Sequence, residues 1–250
     1  MPQAFVIAPV LNEAENLPTL MASWQELRLA FPDWQFEFIL VDDGSTDDTK
    51  IAAEKESAAR GLTMRVLRHE KNQGPGAAFG TGFAYLADRL QPEDTVVTME
   101  GDNTSRIATL KIMLDRMERE KVDVALASPY AYGGGIMNTS FHRVLLSHIA
   151  NGMIKSFLDI HGIHTMSSFF RAYRGSVVLK LQDRWGPQVL ERRGFECMIE
   201  LLKKTILQGA TITEVPMRLD TSLRKGKSKM KVMRTIRGYF SVMWKVRSWQ

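Results

Sequence analysis

Cysteine is nearly absent from this chain: Cys197 is the only one in 250 residues. No intramolecular disulfide can form, and no Cys/His spacing resembles a zinc site, so a reducing compartment, the cytoplasm, is the expected setting. Long apolar runs are missing as well. No stretch approaches the ~18 uninterrupted apolar residues of a membrane-spanning helix. Met1–Asn12 has no charged segment ahead of its short apolar run, so neither a transmembrane helix nor a signal peptide is expected. Acidic residues are absent from Thr221 to Gln250, where nine of the 33 Lys and Arg fall. Residues 1–220 then carry 24 basic against 28 acidic groups, a net of −4 in a chain that totals +5. The basicity belongs to a tail, and a body of the opposite sign is not shaped to track nucleic acid. There is no internal repeat, no low-complexity tract, no G-K-[ST] of a P-loop and no G-x-G-x-x-G, which argues against a dinucleotide-binding dehydrogenase.

What is present is an alternation of short β-rich apolar runs with helical patterns over the first 130 residues. The pattern predicts strands at Phe5–Val10, Phe36–Val41, Met64–Leu67, Thr95–Met99 and Val124–Ala127. It predicts helices at Asn16–Ala30, Asp47–Ala59, Pro75–Arg89 and Ile107–Lys121. This is the βαβ signature of an α/β fold with a mostly parallel central sheet and helices on both faces. A Gly-rich loop at Gly133–Gly135 follows, then an amphipathic helix at Phe141–Leu158, a strand-like run with small helices, a helix at Phe195–Leu207 and a strand at Thr211–Pro216. One domain over 1–220 with a basic amphipathic tail over 221–250 is the expected organisation.

In a sheet of this kind ligands sit beyond the carboxyl ends of the strands. The residues there are Asn12 and Glu13, Asp42 and Asp43, Asn72 to Gly76, and Glu100 with Asp102. Two adjacent carboxylates at a strand end repel each other unless a donor-rich ligand or backbone amides compensate them, which favours ligand contact at Asp42. Glu100-Gly101-Asp102 places two hard oxygen donors on one sharp turn, suited to Mg²⁺ or Mn²⁺ with positions left for diphosphate oxygens. The loop Asn72-Gln73-Gly74-Pro75-Gly76 leads into a helix. Its glycines admit close approach of a phosphate, or equally close packing of the helix on its neighbours. His142, His148, His161 and His164 have no acid or Cys completing a ligand set and read as solvated or packing residues, and Trp24 and Trp34 read as packing.

Pro9-Val10-Leu11-Asn12-Glu13-Ala14-Glu15-Asn16-Leu17, the run Val41-Asp42-Asp43-Gly44-Ser45-Thr46-Asp47-Asp48-Thr49, the Gly-rich loop and the Glu100 turn together resemble a family-2 glycosyltransferase of the GT-A fold. Arg143-x-x-x-Ser147-x-x-x-Asn151, Ser168-Phe169-Phe170-Arg171-Ala172-Tyr173-Arg174, Gly194-Phe195-Glu196, Glu214-Val215-Pro216 and Gly226-Lys227-Ser228-Lys229 resemble its dolichol-phosphate mannosyltransferase branch. The resemblance covers nearly the whole chain. It implies that Pro9, Leu11, Glu13 and Asp42 hold the nucleotide, with Asn12, Asp43, Asn72, Gly74, Gly76 and Gly101 beside them, and that Glu100 and Asp102 hold the metal. Arg143, Ser147 and Lys229 would lie near the phosphates, with Arg171 on the acceptor side. The chain departs from the family pattern at Glu100, where an Asp is usual, at Thr104 for a Gln, at Pro129 for an Arg, and at Leu223, with Arg224 one place over.

The implied reaction is inverting transfer of a hexose from a GDP- or UDP-linked sugar to a polyprenyl phosphate, by a protein peripheral on the cytosolic face of a membrane. The partners are then the nucleotide sugar, the lipid acceptor and the membrane surface, with room for an oligomer or a membrane-protein partner. Two other readings stand beside it. One is transfer to a sugar hydroxyl with Glu196 or Glu200 as base, and the other is a non-catalytic family member. In the tail, Val232, Met233, Ile236, Tyr239, Phe240, Met243 and Val246 recur every three to four residues among Lys and Arg. This helix either packs on the body or lies on an anionic membrane, and Trp244 and Trp249 as interfacial anchors favour the membrane.

Overall fold

The computed structural model describes residues 1–139, 141–223, 232–246 and 249; the side chains of 141–147, 150, 232–237 and 243 fall outside the description. In chain order the elements are β1 (Gln3–Val10), α1 (Leu17–Ala30), β2 (Gln35–Asp42), α2 (Thr49–Ala59), β3 (Met64–Arg68), α3 (Pro75–Leu86), β4 (Thr95–Thr98), α4 (Ile107–Glu120) and β5 (Val124–Ser128). They continue with β6 (Gly135–Met137), α5 (Phe141–Leu158), β7 (Arg171–Arg174), α6 (Gly175–Trp185), α7 (Cys197–Leu207), β8 (Ile212–Pro216), β9 (Arg218–Asp220) and α8 (Val232–Lys245). Seven strands form one sheet in the order β3-β2-β1-β4-β7-β5-β8, and β6 pairs with β9 apart from it.

The sheet is parallel except at β7, which runs antiparallel between β4 and β5. Its inner strands β1, β2, β4 and β5 are largely buried on both faces, and their period of two sorts side chains between two cores. Phe5, Ile7, Ile39, Val41 and Val96 point to one side, and Val6, Ala8, Phe38, Leu40 and Val97 to the other. The second core is closed by α1 and α4, whose Leu17, Leu20, Met21, Trp24 and Ile107, Leu110, Met113, Leu114, Met117 recur at helical spacing. Trp24 stacks on Phe38 with ring centroids 4.5 Å apart, the packing role expected of it. The first core is closed by α3, α5, α6, α7 and α8. The expected α/β fold with helices on both faces is the observed one.

Several details differ from the expectation, the short pair β6 and β9 among them. The helix from Pro75 ends at Leu86. Four residues bracketed by Arg171 and Arg174 form the strand β7 in the middle of the sheet. A strand with two arginines carries no apolar run to announce it. It is held because Arg171 Nε and Nη2 donate to the carbonyls of Ser168 and Met166 at 2.7 and 2.9 Å.

Candidate active site

The carboxyl ends of β1, β2 and β4 lie side by side because Val10 pairs with Asp42 and Ile7 with Thr98. This brings Pro9, Leu11, Asn12, Glu13, Asp42, Asp43, Glu100, Gly101 and Asp102 to one edge of the sheet. The loops there are stitched together by side chains. The Asn12 amide donates to Ser45 Oγ at 2.8 Å, and the Glu13 amide to Thr49 Oγ1 at 2.9 Å. Asn12, at φ 50°, accepts from the Thr46 amide at 2.8 Å. Glu13 also pairs with Asn16.

The two neighbouring aspartates have separate environments. Asp43 is 4% exposed. Its Oδ1 lies 2.7 Å from His69 Nδ1 and accepts from the Gln73 amide at 2.9 Å, while Oδ2 accepts from the Gly74 amide at 2.8 Å. It therefore holds the Gly-rich loop in place. Asp42 is fully buried; its Oδ1 accepts from the Ser45 amide at 2.8 Å. Its Oδ2 has no hydrogen-bond partner among the described residues and lies 3.3 Å from Arg68 Nε. Arg68 also donates to the Ser45 carbonyl at 3.0 Å, so its guanidinium covers Asp42.

The glycines of the loop face protein. A Cβ on Gly74 would sit 2.3 Å from the Arg193 carbonyl oxygen, and one on Gly76 would sit 2.0 Å from that of Arg192. Of the two uses open to these glycines, close backbone packing is the one the structure fills. Asn72 borders the turn at Gly44 instead, its amide 2.7 Å from where a Gly44 Cβ would project.

Gly101 decides where the acid turn lies. A Cβ there would be 2.5 Å from Val10 Cγ1 and 2.8 Å from the Pro9 carbonyl oxygen, so the turn rests directly on the end of β1. Asp102 is 7% exposed, and its Oδ1 accepts from the Thr104 amide and hydroxyl at 3.2 and 2.6 Å. Glu100 is bonded by Ser105, whose hydroxyl donates to it. Two oriented carboxylates on one turn fit a hard divalent ion whose remaining ligands are water and diphosphate oxygens. No group of three or more His, Cys, Asp or Glu that could hold a metal occurs among the described residues.

Three expectations need correction. Arg171 has no exposed surface, and its guanidinium bonds the 166–168 backbone, so it shapes the loop before β7 and does not meet an acceptor. Glu200 is also fully buried; it accepts from the amides of Glu191 and Arg192 at 2.9 and 2.8 Å and from Lys204 Nζ at 2.7 Å, which removes it as a base. Trp249 is 2% exposed, donates to Glu191 at 3.1 Å and lies over the Lys204 ammonium, so it is no interfacial anchor. Lys229 lies outside the described residues, as do the side chains of Arg143, Ser147 and His142, all three carried by the backbone of α5. His148 stacks edge-on with Tyr130, and the exposed His161 pairs with Asp159. His69 and Arg68 were not singled out by sequence, although they stand just at the end of β3, where the rule that found the other site residues applies.

The profile of Glycosyl transferase family 2 matches residues 5–181. The chain belongs to that family. It is 31% identical over 228 residues to a polyprenol monophosphomannose synthase of Mycolicibacterium smegmatis, covering 91% of this chain and 81% of the relative. It is 28% identical to a dolichol-phosphate mannosyltransferase of Pyrococcus furiosus, covering 98% of this chain and 64% of the other. A mannosyltransferase of Pyrobaculum calidifontis, solved with GDP-Man and Mn²⁺, superposes with a TM-score of 0.61 at 16% identity, over 98% of this chain and 64% of that one. This likeness shows the GT-A fold. The family 2 glycosyltransferase described here thus carries its acid turn and its β1 and β2 loops on that scaffold.

Proposed function

We propose that this glycosyltransferase moves a hexose from a GDP- or UDP-linked sugar to a polyprenyl phosphate, with inversion, at the cytosolic face of a membrane. The observation that carries the reading is the reach of the similarity to the polyprenol monophosphomannose synthase. It spans 91% of the chain, whereas the general family profile ends at residue 181. The likeness therefore takes in both the strand-end loops and the α5 residues Arg143 and Ser147 assigned to the acceptor.

A polyprenyl phosphate is an anion at neutral pH, and its oxygen can attack the anomeric carbon without a general base. The tasks left to the protein are to neutralise, align and exclude water. Asp42, Glu13 and the loops they anchor bind the nucleotide; Arg143 and Ser147, four residues apart on α5 and so on one helical face, hold the acceptor phosphate. Mg²⁺ or Mn²⁺, held by Glu100 and Asp102, would supply positive charge against the departing nucleotide diphosphate. A sugar hydroxyl would need a base, and with Glu200 fully bonded only Glu196 of the two acids considered could serve.

Arg143→Ala separates the acceptors. Transfer to a polyprenyl phosphate should fall by about a hundredfold or more while nucleotide-sugar affinity stays near wild type, and Glu196→Gln should be the milder change. Should Glu196→Gln be the more damaging, or only hydroxyl acceptors be glycosylated, the phosphate-nucleophile mechanism is wrong.

A further inference from the structure

Residues 191–193 run between the Gly-rich loop and α8 and are bonded to both. Toward the loop they present carbonyls. The Gly76 amide donates to the Arg193 carbonyl at 2.8 Å. A Cβ on Gly74 or Gly76 would meet the carbonyl oxygens of Arg193 and Arg192, which leaves room for backbone only. Toward α8 they present side chains. The Glu191 carboxylate accepts from Lys245 Nζ at 2.6 Å and from Trp249 Nε1 at 3.1 Å, and Arg192 Nη2 donates to the Ser241 carbonyl at 3.3 Å. A short way on, Glu196 packs on α8 as well, its Oε2 2.5 Å from where a Gly238 Cβ would project. The segment itself is fixed from below, because the two oxygens of the fully buried Glu200 accept from the amides of Glu191 and Arg192.

On its other side the Gly-rich loop is bonded to Asp43, which accepts from the amides of Gln73 and Gly74 and follows Asp42 directly. The loop is thus clamped between the end of β2 and the 191–193 backbone. Side chains in contact can change rotamer to absorb a shift, whereas backbone against backbone passes it on. The member of this series that can open without unfolding the rest is α8, which lies outermost with Phe240 and Trp244 exposed. We propose that Glu191 and Arg192 are positioning residues for the nucleotide sugar, locking the Gly-rich loop to α8 so that a seated α8 raises nucleotide affinity. By linkage a bound nucleotide sugar holds α8 in its seat by the same factor. This rests on the assignment of Asp42 and its neighbours to the nucleotide, and adds to it that affinity depends on contacts made by Lys245 and Trp249, two hundred residues later in the chain.

Calorimetry of the full chain with GDP-mannose and UDP-glucose in Mn²⁺, well below the melting temperature, tests the link. Glu191→Ala and Trp249→Ala should each weaken binding of the sugar nucleotide that wild type prefers by about fivefold or more. Glu191→Gln keeps an acceptor for Trp249 and should recover most of that loss. Met117→Ala, in the second core near the far end of α4, should lower the melting temperature comparably and leave affinity alone, which separates positioning from stability. In steady state the loss should fall on KM for the nucleotide sugar, with kcat kept. Hydrogen exchange gives the reverse arm. Saturating nucleotide sugar should slow exchange of the α8 amides, and Gly76→Ala, which drives a methyl into the Arg192 carbonyl, should speed it with or without ligand. Wild-type affinity in both Glu191→Ala and Trp249→Ala would overturn the proposal, as would α8 exchange indifferent to the nucleotide sugar. Asp42→Asn keeps this apart from the site assignment. If it binds as wild type while Trp249→Ala binds weakly, the role of Asp42 fails and the link stands; if the reverse holds, the link fails and the role of Asp42 stands.

Discussion

Removing the carboxylate of Asp43 would strand three donors at once: the His69 ring and the amides of Gln73 and Gly74. Each buried donor left unpaired costs about 1–3 kcal/mol, so Asp43→Ala should destabilise the fold by roughly 3 kcal/mol or more in urea unfolding. Asp42→Asn keeps the bond from the Ser45 amide and removes only the charge facing Arg68. It should leave stability nearly unchanged and weaken nucleotide binding, so the two neighbours separate in calorimetry. Sequence favoured ligand contact at Asp42 and left the role of Asp43 open, because that role is set by His69, which lies 26 residues away from Asp43. At Asp102, substitution by Asn should lower turnover by about a hundredfold or more and weaken Mn²⁺ binding in calorimetry, with little change in melting temperature. Full activity of that variant, or of wild type in EDTA, would remove the metal from the proposed reaction.

The end of the chain clasps the body through α8 and Trp249. Lys204 Nζ, fully buried, donates to the Val189 carbonyl at 2.6 Å and to Glu200 at 2.7 Å, with the rings of Trp185 and Trp249 each 5.3 Å away. Lys245 reaches Glu191 at 2.6 Å. Trp249→Ala should cost about 3 kcal/mol, the low end for a buried tryptophan, seen as a melting point lower by roughly 6–12 °C. The bonds from Lys245, then the charge of Lys204, hold the Glu191 carboxyl below its usual value of 4.5. A depressed carboxyl contributes its full stability above the unfolded value and loses it as pH falls through the folded one. Glu191 is 42% exposed, so screening limits the contribution to about 1 kcal/mol. Glu191→Gln should therefore be slightly less stable than wild type at pH 7, with the gap closing below about pH 4.5. A gap that is constant with pH would show that packing, not charge, secures the clasp. The helical period of α8 was legible in sequence; which of the two tail tryptophans, Trp244 or Trp249, faces inward was not, since Trp249 follows the helix and its position depends on Glu191 and Lys204.

Across the whole molecule, the parallel strands and their flanking helices were legible because the inner strands are apolar on both faces and the helices on one. The antiparallel β7 and the pair β6 with β9 were not, being three or four residues long and fixed by contacts far off in the chain. The same holds for the site. Asn12, Asp42 and Asp102 follow from the rule about strand ends, while the packing of Gly74 and Gly76 on Arg192 and Arg193 depends on a segment more than a hundred residues later. Because the site joins loops from β1, β2 and β4, a ligand bound there should stabilise the fold as a unit. A nucleotide sugar at a hundredfold excess over its Kd adds about 2.7 kcal/mol to the native state alone. For a chain of this size that corresponds to a melting point raised by roughly 5–10 °C. A panel of GDP-, UDP- and dTDP-sugars with Mn²⁺ should therefore give one responding nucleotide. The response should shrink in Asp42→Asn, which alters the proposed nucleotide contact, and also in Asp102→Asn, which alters the proposed metal site. If the shift survived Asp102→Asn but not Asp42→Asn, the nucleotide would bind without the ion; if it survived both, the ligand would sit elsewhere and the site assigned here would be wrong.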